Sequence, residues 1–236
     1  MPVRASLLLF LLTCPLVLAA QSGFGGSYSY SYSGVPLPNL PYTATFESKT
    51  VQTLADGTTI TSTLETKEAR DSQGRTLHQV VRTLPDGNQF TQTFVSDPIN
   101  RTMTNWSSGS TVASVNHMPD PGEIHQHANV SPKKQQTQAA NRPNVQLGSK
   151  TIFGVVAEGT RSTRVIPAGS QGNDRPITVV TEEWRSPDLG IMLSLSRDDP
   201  RNGHNTQEVT ALDRGEPDPA LFQPPAGYTL QDRPAQ

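Results

Sequence analysis

Three sets of residues in this 236-residue chain have types and spacings that chemistry can use. The first is Glu123, His125 and His127, with His117 nearby. On an extended segment those three alternate onto one face, placing two imidazoles and a carboxylate within reach of one metal ion. The text around them, residues 117–146, is rich in Pro, Gln, Asn and His and has no hydrophobic period. A long mobile loop is therefore predicted, with solvated histidines and no metal. The second set is the acidic pairs Glu182-Glu183 and Asp198-Asp199. Adjacent residues on a strand point to opposite faces, so Glu182 and Glu183 are not placed to act on one bond, and Asp198-Asp199 sits in turn text. The third is the two tryptophans, Trp106 and Trp184, each able to fill a core or to wall an apolar trough.

The familiar catalytic and phosphate-binding patterns are absent: there is no G-x-S-x-G, no P-loop, no Rossmann glycine pattern and no H-E-x-x-H. The single cysteine is Cys14, so a thiolate centre or a disulfide has no residues from position 15 onward. The formal charge is −2 with no basic stripe, which argues against nucleic acid as a partner. Neither an enzymatic activity nor a cofactor is expected.

The elements that would position any site are strands. From Tyr42 the sequence alternates with period two: Tyr42, Ala44 and Phe46 on one side, Thr43, Thr45 and Glu47 on the other. Similar alternation includes Phe90 and Phe94, then Ile191, Leu193 and Leu195. Such patterns mark half-buried antiparallel strands. Asp56-Gly57, Asp71-Ser72-Gln73-Gly74 and Asp86-Gly87 supply the corners, and Asp-Gly favours two-residue hairpin turns, whose central positions both need positive φ. Asp218-Pro219 reads as a cap followed by a proline suited to a first helical position, giving one helical turn over Pro219–Phe222. No amphipathic helical period of ten or more residues occurs.

The ends of the chain have a different character. Arg4, the apolar run Leu7–Leu12 and the small residues before Gln21 read as a secretory signal peptide over residues 1–20. Lipidation of Cys14 is the alternative fate for that cysteine. Residues 21–41, rich in Gly, Ser, Tyr and Pro, are expected to be a flexible linker, and 230–236 a disordered tail. Apolar residues are only 33% of the chain, below the roughly 45–50% usual for globular proteins. Neither part flanking 117–146 has enough apolar content to stand alone, so one β domain over 42–229 is predicted.

The stretch from Leu147 to Tyr228 adds a resemblance. Its residues include Ile152-Phe153-Gly154-Val155, Trp184 with Ser186-Pro187-Asp188-Leu189, and the close on Asp218-Pro219-Ala220-Leu221-Phe222 with Pro225, Gly227 and Tyr228. This text resembles the periplasmic lipoprotein-carrier superfamily of LolA/LolB type, in its uncharacterised secreted branch. The resemblance implies a single curved antiparallel sheet or incomplete β-barrel with at most short helices. It also implies a periplasmic or extracellular place, an apolar, lipid or lipoprotein ligand, and an envelope protein as partner. On a concave face Phe90, Phe94, Trp184, Ile191, Leu193 and Leu195 are the candidates to line a trough. The alternative expectation is a structural or protein-interaction module with no small-molecule ligand.

Overall fold

A computed structural model of the chain describes residues 39–118 and 144–233. The stretch holding Glu123, His125 and His127 lies outside the described residues, as do the signal-peptide and most of the linker text. Twelve strands run in chain order: β1 (Tyr42–Thr53), β2 (Thr59–Arg70), β3 (Thr76–Thr83), β4 (Gln89–Asp97), β5 (Thr102–Ser107) and β6 (Val112–His117). After the undescribed stretch come β7 (Asn144–Ile152), β8 (Val155–Ile166), β9 (Ile177–Ser186), β10 (Ile191–Asp199), β11 (Gly203–Asp213) and β12 (Thr229–Arg233). The only helical element among the described residues is the 3-10 turn Pro219–Phe222. There the Asp218 side chain accepts a 2.9 Å hydrogen bond from the Ala220 amide, as the cap-and-proline text predicts.

All twelve strands form one open sheet in the order β12-β6-β5-β4-β3-β2-β1-β11-β10-β9-β8-β7. Neighbours in the sheet are consecutive hairpin strands except at two places. β1 pairs with β11 over nine register partners, from Thr43 opposite Asp213 to Val51 opposite His204, and this seam joins the two runs of hairpins. β12 pairs with β6 in parallel, so the sheet is mixed rather than purely antiparallel. Two boundaries also differ from the sequence reading. Asn144–Gln146 begin β7 instead of extending the loop, and β12 (Thr229–Arg233) runs on through residues 230–233, where a tail was expected. Every residue of β12 is exposed, so it lacks the buried alternation that makes a strand readable.

The Asp-Gly corners are three-residue loops, not two-residue ones. The Leu54 amide donates to the Thr58 carbonyl at 2.8 Å, and only Gly57 adopts positive φ (+86°). This is a type I turn ending in a left-handed glycine, with the Asp56 carboxylate accepting from the Thr58 amide at 2.9 Å. A two-residue turn falls instead at Phe153-Gly154, between the paired residues Ile152 and Val155, with both central φ positive.

Residues paired across strands share a face. On one face of β1, Tyr42, Ala44 and Phe46 are buried together with Val155, Ala157, Leu189, Ile191, Leu193 and Val209. In sheet order β8 lies four strands from β1, roughly 19 Å away in a flat sheet at ~4.8 Å per strand. Val155 and Phe46 belong to one cluster only because the sheet rolls over toward the Phe46 face. The opposite face is buried elsewhere. Following the register across β1 to β5, one row runs Thr43, Ala69, Leu77, Val95, and the next runs Thr45, Lys67, Gln79, Thr93, Trp106. On this Trp106 face Ala69, Leu77, Val95, Trp106 and Ala113 form a second core, closed by Phe222 and by half-buried Tyr228.

Candidate apolar site under the C-terminal strap

Residues 214–228 leave β11, cross the Trp106 face as an irregular strap, and return to the sheet as β12. Phe222 anchors the strap in the second core. The Tyr228 hydroxyl donates to the Ser107 carbonyl at 2.8 Å, and the Glu216 carboxylate accepts from the Ser72 amide and hydroxyl at 3.1 Å each. Arg75 lies 4.9 Å from the centre of the Phe222 ring. Beside Phe222 a pocket of about 380 Å³ lies between strap and sheet.

The pocket floor is Ala69, Leu77 and Trp106 with the aliphatic parts of Thr43, Thr45 and Lys67. Ala211 and Leu212 of β11 form its side, and Ala220, Leu221 and Pro225 form its roof. Among its polar residues, three are already engaged within the protein. Gln79 Nε2 donates to Thr93 Oγ1 at 2.9 Å, and Asp213 Oδ1 accepts from the Gly215 amide at 2.8 Å. Lys67 pairs with Glu65 at 3.5 Å, half exposed, a contact of little energetic weight. Glu68 also borders the pocket. Burial pushes its carboxyl above the ordinary range, partly offset by the Tyr42 hydroxyl donating at 3.4 Å. The adjacent strand places His78 opposite Glu68, and burial pushes that imidazole below its ordinary value. The walls therefore offer apolar area more than free donors or acceptors.

The six residues read from the sequence as trough candidates stand elsewhere. Ile191 and Leu193 are packed inside the Phe46 core, and Trp184 lies against that core. Phe90, Phe94 and Leu195 share the Phe46 face by register. Phe94 is 37% exposed, while Trp106 on the neighbouring strand is only 9% exposed, on the other face. None of the six lines the pocket. The sequence reading singled out neither Leu77 nor Ala69, and the strap residues that roof them, Ala220, Leu221 and Pro225, are 140 residues or more further along the chain. The only sequence signal for it was the Asp218-Pro219 turn.

The acidic pairs have structural partners. Glu182 receives the Arg161 Nε–H at 2.7 Å, and Glu183 lies 3.8 Å from Arg185. Asp199 is fully buried and accepts from Arg201 at 2.7 and 2.9 Å and from Arg197 at 3.2 Å. These hydrogen bonds hold its carboxyl far below the usual carboxylate range. Among the described residues no group of three or more His, Cys, Asp or Glu is arranged to hold a metal, and no helix is long and apolar enough to cross a membrane.

No protein-family model matches the chain, and no curated protein matches it. Solved structures do. An uncharacterised conserved protein from Thermus thermophilus is similar over 85% of this chain and 93% of its own, with 12% identity and a TM-score of 0.43. MucB, in the Pseudomonas aeruginosa MucA/MucB complex, is similar over 80% of this chain with 14% identity and a TM-score of 0.37. This chain spans just over half of MucB, 57%. A LolA superfamily protein from Nitrosomonas europaea is similar over 81% of this chain and 94% of its own, with 8% identity and a TM-score of 0.33.

Proposed function

We propose that this is an exported, non-catalytic binding protein of the bacterial envelope that takes one small apolar or lipid-like molecule beneath the strap. The observation that carries this reading is the pocket itself: about 380 Å³, floored by Ala69, Leu77 and Trp106 and roofed by Leu221 and Pro225. That volume lies at the small end of the roughly 300–1,000 Å³ typical of ligand sites, enough for a single short ligand. Each methylene buried there contributes about 0.8 kcal/mol, so a short hydrocarbon segment supplies useful affinity without any polar contact. Leu221 supports the reading further, because it stays 42% exposed although it belongs to the roof. The signal-peptide text supports delivery to the periplasm or beyond.

Mass spectrometry of organic extracts from protein purified without detergent tests the proposal. A stoichiometric lipid or other apolar metabolite is the expected result. Protein that is lipid-free from its native envelope, and that also fails to take up apolar probes, contradicts it. Docking of an envelope protein is the second reading. It is supported by the outer edge of β7, where Val145 is 55% exposed and no strand pairs beyond it among the described residues.

A further inference from the structure

Ala69, Leu77 and Trp106 do two things at once. They floor the pocket, and with Val95 and Ala113 they form the socket that holds the Phe222 ring. Pocket and socket are thus one continuous apolar strip of the Trp106 face, with one stretch empty and the next filled by a side chain from the strap. The strap holds that side chain by few ties. Of residues 214–228 only Pro217 and Phe222 are buried. The strap's backbone hydrogen bonds among the described residues run within it: Leu221 to Asp218, Gln223 to Ala220 and Tyr228 to Pro225. Its side-chain ties at Glu216 and Tyr228 lie at its two ends. A segment with few buried apolar contacts and no ladder to the sheet belongs to the low-stability end of a fold.

We infer that Phe222 is a displaceable plug: it occupies the inner part of the ligand strip, and a ligand longer than the pocket enters by expelling it and lifting the strap. The inference rests on the apolar-ligand reading above and adds the site's extent and its gate. Displacement makes the open state a minor one before binding, and the apparent affinity is reduced by the fraction of molecules that are open. Removing the plug removes that reduction.

The test is binding of cis-parinaric acid, a fluorescent fatty acid whose chain is longer than the pocket, to the full chain and to Phe222→Ala. The variant is expected to bind about tenfold more tightly, as for an open fraction near one in ten. A wild-type protein that binds, with a variant that binds equally or more weakly, overturns the plug while leaving the apolar site standing. Absence of binding by both overturns the site itself. Where Phe222→Ala does not fold, hydrogen exchange on the wild-type chain decides. Amides of residues 219–228 are expected to exchange faster at saturating probe, and unchanged or slower exchange overturns the inference.

Discussion

The guanidinium of Arg70 donates a 2.7 Å hydrogen bond to the carbonyl of Leu189, 119 residues away, tying β2 to the loop between β9 and β10. Arg70 is only 5% exposed, also donates to the Leu40 carbonyl at 2.9 Å, and stacks 4.9 Å from the Tyr42 ring. It clasps the rolled part of the sheet onto the Phe46 face from a strand on the far side of the β1–β11 seam. Arg70→Ala leaves one buried carbonyl, at Leu189, and one part-buried carbonyl, at Leu40, without their charged donor and is expected to cost about 2–3 kcal/mol. A shift of the urea midpoint at unchanged slope measures it, and a variant as stable as the wild type contradicts the clasp.

Trp184 lies flat over Gly159, its register partner on β8. A Cβ on Gly159 would sit 2.7 Å from the ring. Lys150 closes the other side, its Nζ 4.0 Å from the ring centre. Gly159→Ala therefore forces the indole off its seat and is expected to destabilise by about 1–3 kcal/mol. The change appears as a lower Tm with altered tryptophan emission, whereas an unperturbed spectrum would show that the ring has room to move.

Glu68 and His78 bend the pH dependence of stability in opposite directions. Burial raises the Glu68 carboxyl, so the folded state binds more protons than the unfolded one above pH 4.5, and stability falls as pH rises through that window. Burial lowers the His78 imidazole, so stability falls as pH drops below 6.5. Glu68→Gln, which keeps an acceptor for the Tyr42 hydroxyl, is expected to raise Tm at pH 7 and to lose that gain near pH 4. An equal Tm difference at both pH values contradicts the assignment.

Asp199 has the reverse sign. Hydrogen bonds from Arg201 and Arg197 depress its carboxyl, so the stability it contributes is present above pH 3.8 and is lost on further acidification. Asp199→Asn is expected to lower Tm at neutral pH and to converge on the wild type in acid. Parallel curves from neutral to strongly acid pH would rule this out.

The strands, their alternation and the 3-10 turn were legible because each is written in neighbouring residues: Tyr42, Ala44 and Phe46 on one side of β1, Asp218-Pro219 before the turn. Three things were not. β12 has no buried residue and exists only because β6 offers it an edge. The loops at Gly57 and Gly87 kept one more residue than the Asp-Gly text implied, since Asp56 and Asp86 are not among the residues with positive φ. Most consequentially, alternation tells which residues of a strand share a face, not which distant segment covers that face. Phe94 and Trp106 stand on adjacent strands and opposite faces, and the strap chooses the Trp106 side because Phe222 finds its socket there.

Ala211 gives the most direct access to the central claim, because it lines the pocket from β11 while lying outside both buried cores. Ala211→Trp fills the cavity without removing a core contact. The measurement is the affinity of the full-length variant for N-phenyl-1-naphthylamine beside its thermal unfolding. A loss of binding of at least tenfold with Tm within a few degrees of the wild type is the predicted outcome. Unchanged probe affinity in a variant that folds normally would place the apolar site elsewhere or nowhere.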